Sequence, residues 1–149
     1  MKNLFQKESF NEIIDRINKL SSETKCNWGK MTVDQMLAHC SASLSTATGE
    51  KFYPREFMGR IIGRFIKPYM LGRKPVPHNS PTSPHLKISA TEGFEIEKKK
   101  LVDMITRFHE GGPEKCTKNP HSFIGRLEPE EWAVLMYTHT DHHLTQFGV

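Results

Sequence analysis

His139 and His143 stand four residues apart in the segment His139-Thr140-Asp141-His142-His143-Leu144-Thr145-Gln146-Phe147. On a helix this spacing stacks two imidazoles one turn apart on a single face, so that a rigid support presents two nitrogen donors to one divalent cation. Any further ligand must then come from elsewhere in the fold. His39 is the strongest candidate. It lies mid-way along a segment carrying Val33, Met36, Leu37, Cys40 and Leu44, beside this apolar stripe rather than opposite it. Gln35 and Ser43, at i−4 and i+4 from His39, make its face locally polar in a helix that otherwise forms core. Helical bundles build metal sites in this way, from side chains on facing helices.

Three neutral imidazoles leave a divalent cation at +2 with an open coordination position, the arrangement of a catalytic rather than a closed structural site. A water there would be acidified toward about pH 7, or a thiolate could take its place. All-nitrogen ligation suits zinc, nickel or iron without choosing among them. Gln146, three residues beyond His143 on the same face, is placed to orient a ligand. The competing reading of His39, His139 and His143 is a set of buried histidines satisfied by core hydrogen bonds. Other residues carry less. His142 is one position off the ligand face and reads as a rim residue, and His121 falls in a loop that could line the site mouth or be simply exposed. Cys40 is about 100° around the helix from His39, which disfavours a Cys-His nucleophilic pair. Asp141 points away from the His139 and His143 face, and Trp28 and Trp132 read as core or cavity wall.

The elements that must position these groups are helical. Phe10, Ile13, Ile14, Ile17 and Leu20 repeat at three- and four-residue spacing and predict a first helix over 8–20. Thr32-Val33-Asp34-Gln35 is a capping box with Thr32 at the N-cap, so a second helix starts there and ends near Thr48-Gly49, where glycine suits a left-handed cap. Phe57, Met58, Ile61, Ile62, Phe65, Ile66 and Tyr69 make a strongly amphipathic helix over 57–70, with Arg60, Arg64 and Lys67 between them. We expect its apolar side to pack into the core; the other reading is an interfacial membrane or partner face. The stretch Gly72-Arg73-Lys74-Pro75-Val76-Pro77-His78-Asn79-Ser80-Pro81-Thr82-Ser83-Pro84 cannot be helical and is expected to be an ordered crossover, not a domain boundary. A further helix over 92–109 turns Phe94, Leu101, Met104, Ile105 and Phe108 inward and stops at Gly111-Gly112-Pro113. The last helix, over 129–147, opens on Pro129 with Glu130 and Glu131 against its positive end. The expectation is an all-α fold: a four-helix bundle with an additional amphipathic helix and a long proline-rich crossover, in one domain over 1–149.

Composition bounds the function. A chain of 149 residues with 36% hydrophobic and 26% charged residues has the make-up of a single soluble domain, and no apolar stretch is long enough to cross a bilayer. The first residues lack the apolar core of a secretory signal, so the cytoplasm is the expected compartment. Cys26, Cys40 and Cys116 are odd in number and lack a C-x-x-C spacing, and so read as free thiols. The net charge is +4, but the one tight basic cluster, Lys98-Lys99-Lys100, follows Glu92, Glu95 and Glu97 and reads as a solvated, ion-paired face. Nucleic acid is therefore not an expected partner.

Three stretches carry a resemblance: Trp28-Gly29-Lys30-Met31-Thr32-Val33-Asp34-Gln35-Met36-Leu37-Ala38-His39, Pro120 with Phe123-Ile124-Gly125-Arg126-Leu127-Glu128-Pro129-Glu130-Glu131-Trp132, and the terminal His139 to Phe147 segment. Together they resemble the DinB-like (DinB/YfiT) superfamily, and within it the DUF1569 family, over nearly the whole chain. The resemblance implies a bundle of the DinB and YfiT type with a divalent metal held by one histidine on the second helix and two on the last, here His39, His139 and His143. Superfamily members with assigned activities include transferases and isomerases that use bacillithiol, mycothiol or glutathione. The widespread H-R-G-Q ending appears here as His143-Leu144-Thr145-Gln146, a departure in the middle pair that loosens any transfer of substrate. The leading expectation is a metal-dependent transferase or hydrolase acting on a small molecule, with a low-molecular-weight thiol as a candidate co-substrate and a homodimer as a candidate assembly. The alternative is a non-catalytic, stress-associated or partner-binding bundle.

Overall fold

The computed structural model describes residues 1–78, 80 and 82–149; Asn79 and Pro81 of the expected crossover lie outside the described residues. The chain is all-helical: α1 (Lys7–Asn18), α2 (Val33–Ala47), α3 (Phe57–Met70), α4 (Phe94–Gly111) and α5 (Pro129–Gln146), with single 3-10 turns at Pro84–Leu86 and Pro113–Lys115. Among the described residues there is no strand, only one isolated antiparallel bridge between His121 and Gly125.

The helices begin where local chemistry directs. Thr32 accepts the Gln35 amide while the Gln35 side chain accepts the Thr32 amide, so the box expected from sequence closes the start of α2. At the start of α5, Glu128 and Glu131 make the same reciprocal pair, with Pro129 in the first turn. Gly49 follows α2 at φ +81°, the left-handed conformation that a Cβ disfavours. A 3-10 turn begins at the end of the crossover, with Pro84 supplying a fixed φ at its first position.

Four helices enclose the core. α2 packs against α4 and α5, and α1 against the same two, so α1 and α2 occupy opposite corners of a helical bundle. Ile13 and Ile17 of α1, Met36, Leu37, Cys40 and Leu44 of α2, Leu101, Ile105 and Phe108 of α4, and Trp132, Leu135, Met136 and Leu144 of α5 are buried there. Phe94 is half-buried at the edge of this cluster. The three cysteines are free.

The end of α5 is held by a side chain from α1. Arg16 pairs with Asp141 at 2.5 Å, donates to the Thr145 hydroxyl at 3.0 Å and donates to the Val149 carbonyl from both Nε (3.1 Å) and Nη2 (2.9 Å). These charge-assisted bonds fix the last turn, which carries His143 and Gln146. Asp141 thus faces α1, away from the histidine face, as its position on the helix requires.

The expectation for α3 needs correction. Its bounds are those read from sequence, but its large apolar side does not enter the core. Phe57, Met58, Ile61 and Phe65 are exposed, and the buried positions are Gly59 and Gly63. The reason is a backbone contact. A Cβ built on Gly59 would lie 2.5 Å from the carbonyl oxygen of Phe123 and 2.7 Å from its Cα, and Gly63 meets the same carbonyl. The helix lies on the His121–Gly125 turn through its smallest residues, a closeness of approach that only glycine permits.

Candidate functional site

α5 carries Trp132, Met136, His139 and His143 down one face, and α2 brings His39 and Ser43 against it; Ser43 donates to the Met136 sulfur at 3.9 Å, one turn from the histidines. The structure brings His39, His139 and His143 together, with one ring nitrogen of each lying within 4.8 Å of the others. His39 and His143 are buried, while His139 keeps an exposed edge, so the cluster reaches the surface on one side.

Main-chain carbonyls fix which nitrogens carry protons. A carbonyl only accepts, so His39 Nδ1, 2.8 Å from the Leu86 carbonyl, must be the protonated nitrogen, and His39 Nε2 is left with a lone pair. The second case runs through an amide. The Trp28 carbonyl is 2.7 Å from Gln146 Nε2, which sets that amide's orientation and turns Oε1 toward His143. Gln146 Oε1 is 2.8 Å from His143 Nδ1, so Nδ1 is the donor and Nε2 is again the free lone pair. Both histidines therefore present Nε2 as an electron-pair donor, each held by a partner on its far nitrogen, as metal-binding histidines are.

The third imidazole meets these lone pairs. His139 Nε2 is 3.0 Å from His39 Nε2, and His139 Nδ1 is buried with no partner. With a proton between the two Nε2 atoms, the orphaned Nδ1 is a buried acceptor left unpaired. With a lone pair on each, His139 carries its proton on Nδ1, still without a partner, and the two facing lone pairs repel unless a cation separates them. Two nitrogens on one tetrahedral zinc are about 3.3 Å apart, given Zn–N distances of about 2.0–2.1 Å. The donor set and the 3.0 Å approach fit a divalent metal.

The electrostatics agree with neutral imidazoles. Burial first, with the nearby His39 adding to it and the bond to Gln146 opposing it, brings the His143 pKa down to about 4. Burial also lowers that of His39, against the pull of the Leu86 carbonyl, and holds that of His139 well below the ordinary value, with the neighbouring histidines adding to the effect. The cluster therefore stays unprotonated at neutral pH, as ligation requires. Cys40, next to His39 in sequence, is buried with its thiol pushed up to about 12, and supplies no thiolate.

The open edge is aromatic. Trp28 stacks on His78 at 3.9 Å and 8°, and His142 meets Trp28 edge-on at 5.9 Å and His143 at 5.3 Å. His142 is a rim residue, half-buried, as its helical position predicts. His121 is near enough to His139 to help lower its pKa. It lies by Trp132, where the two line a small cavity of about 20 Å³ that is large enough for one water. Its Nδ1 accepts the Phe123 and Ile124 amides, and burial lowers its pKa to about 4.

Sequence reading did not find Leu86, His78 or the role of the Trp28 carbonyl. All three depend on the return of the crossover or of the 21–32 connection over the site. The segment from the crossover to α4 is pinned by the stack of His78 on Trp28, the Ser83 hydroxyl to Glu56, the stack of His85 on Tyr53 at 4.5 Å, the Leu86 carbonyl to His39 and the Thr91 hydroxyl to Asp34.

A model of the family described as "Protein of unknown function (DUF1569)" matches residues 2–148 of this chain. Comparison with curated proteins and with solved structures finds no match.

Proposed function

We propose that this chain, which belongs to the DUF1569 family, is a divalent-metal protein in which His39, His139 and His143 hold the ion, and that it acts as a transferase or hydrolase on a small anionic substrate. The observation that carries the reading is the convergence of Nε2 lone pairs: His39 and His143 have their protons fixed on Nδ1 by acceptors, and His39 Nε2 lies 3.0 Å from His139 Nε2. The resemblance to the DinB-like superfamily supports the same ligand set, and all-nitrogen ligation suits zinc, nickel or iron. When bound, the ion would supply Lewis-acid polarisation of an oxygen or sulfur donor.

The chain's own residues do the rest. Gln146 and the Leu86 carbonyl hold two imidazoles in one tautomer and one orientation, so little rearrangement accompanies ligand exchange. No carboxylate belongs to the histidine cluster among the described residues, so a +2 charge there would be uncompensated and would favour an anionic partner such as a thiolate or carboxylate. Trp28, His78 and His142 offer aromatic surface beside His143 against which the rest of a substrate can lie.

Elemental analysis of untagged protein prepared without chelator tests the reading, with each histidine changed to alanine in turn. About one transition-metal ion per chain is expected, lost in His39→Ala, His139→Ala and His143→Ala. Full metal content in any one variant removes that residue from the ligand set. A folded wild type that neither contains nor takes up metal refutes the reading. Cobalt-loaded protein then tests the substrate class, because binding of a thiol at the open position shifts its visible spectrum.

A further inference from the structure

α3 carries three kinds of residue on three separate arcs. At about 100° per residue, Phe57, Ile61, Phe65 and Met58 fall within one arc about 100° wide. Gly59, Gly63, Ile66 and Met70 form the next arc, the one turned to the protein. Lys67, Arg60 and Arg64 form the third, with Arg64 bordering Phe57. The helix contains no acidic residue.

The apolar arc is uncovered. Phe57 is 74% exposed, Phe65 60%, and Met58 and Ile61 53% each. Four large apolar side chains grouped this way on one helix mark an interaction surface. The neighbouring cations indicate what it meets. Lys67 is paired with Glu131 at 2.8 Å, but among the described residues neither Arg60 nor Arg64 has a carboxylate partner. The Arg64 guanidinium lies 4.5 Å from the centre of the Phe65 ring, at the border of the apolar arc. A second copy docked through this face would bring two such arginine edges together with no acid on either helix to answer them. A surface of lipid phosphates answers them directly, with apolar side chains entering the acyl boundary and arginines reaching the headgroups.

We propose that α3 is an interfacial anchor that seats this protein on an anionic membrane surface through Phe57, Met58, Ile61 and Phe65, with Arg60 and Arg64 contacting lipid phosphates. The anchor is independent of the histidine site. It lies flat and does not span, and no helix of the described residues is long and apolar enough to cross a membrane.

The test is co-sedimentation of the full chain with phosphatidylcholine vesicles with and without phosphatidylglycerol, at low and high salt. Binding to the phosphatidylglycerol vesicles alone, weakened by salt, is expected. Arg60→Gln with Arg64→Gln should lower the partition coefficient by roughly thirty-fold, about five-fold for each cation at the surface. Ile61→Ser with Phe65→Ser should lower it by at least about tenfold. All four side chains are exposed, so thermal melts matching wild type are expected, and a Phe65→Trp probe reads insertion as a blue shift in emission. Absence of binding at low salt overturns the proposal, as does equal binding to both vesicle types. Self-association without lipid that is abolished by Ile61→Ser with Phe65→Ser would assign the face to a second copy instead.

Discussion

Replacing Gln146 by leucine removes one side-chain amide and its two hydrogen bonds. Gln146 is buried between the Trp28 carbonyl at 2.7 Å and His143 Nδ1 at 2.8 Å. Leucine fills similar space but offers neither acceptor nor donor, so a carbonyl and an imidazole N–H are left unpaired. Each unmatched buried group costs about 1–3 kcal/mol, which places the loss of apoprotein stability at about 2–6 kcal/mol. Metal affinity falls separately, because His143 is no longer held with its lone pair on Nε2; loss of such a partner lowers affinity about 10- to 100-fold, or about 1.4–2.7 kcal/mol. Gln146→Glu divides the two effects. It keeps an acceptor toward His143 but sets a carboxylate against the Trp28 carbonyl, so stability falls while affinity is retained. The carboxylate also raises the His143 pKa from about 4, so proton competition with metal sets in at a higher pH. Zinc titration against a chromogenic chelator reads affinity, and urea unfolding of the apoprotein reads stability. Gln146→Leu protein that is folded and binds zinc within about twofold of wild type would refute the orienting role.

Arg16→Ala should lower stability by about 2–3 kcal/mol, since it strips charge-assisted bonds from the Val149 carbonyl, Thr145 and Asp141; amide exchange over 141–149 should quicken, and unchanged exchange there would discount the clamp. His121 has a pKa of about 4 in the fold, below its ordinary value, so between about pH 4 and 6.5 the unfolded chain holds a proton that the native state lacks, and stability falls as pH drops through that window. His121→Asn, which keeps an acceptor for the Phe123 and Ile124 amides, should make that fall shallower by about 1.4 kcal/mol per pH unit in urea melts of the apoprotein; parallel slopes would contradict the assignment. Gly59→Ala should destabilise by about 1–3 kcal/mol despite the better helix propensity of alanine, because its Cβ would lie 2.5 Å from the Phe123 oxygen; a more stable variant in thermal melts would show that the helix can shift.

The helices were legible because their signals are local. Thr32 and Gln35 cap α2 whatever surrounds them, and Pro129 opens α5 through its own fixed φ. The gathering of His39, His139 and His143 was legible from i,i+4 spacing and from one polar patch on an apolar helix. The side of α3 that packs was not. Periodicity marks an apolar face as core, but here the closest packing is through Gly59 and Gly63, whose value lies in having no side chain, with Ile66 and Met70 beside them. The acceptors that fix the imidazoles were also hidden, because the carbonyls of Leu86 and Trp28 are the same group at every residue, and only the folded path of the chain selects them.

The histidine cluster joins positions far apart along the chain: His39 is bonded across 47 residues to Leu86 and faces His139 across 100. No partly ordered segment can assemble it, so an ion that needs all three imidazoles binds the native state and not the unfolded chain. Free metal at a hundred times the dissociation constant would then add about 2.7 kcal/mol to stability. The supply of metal in the cell would thereby govern how much of the protein survives proteolysis, making its abundance a record of metal status whatever reaction the site performs.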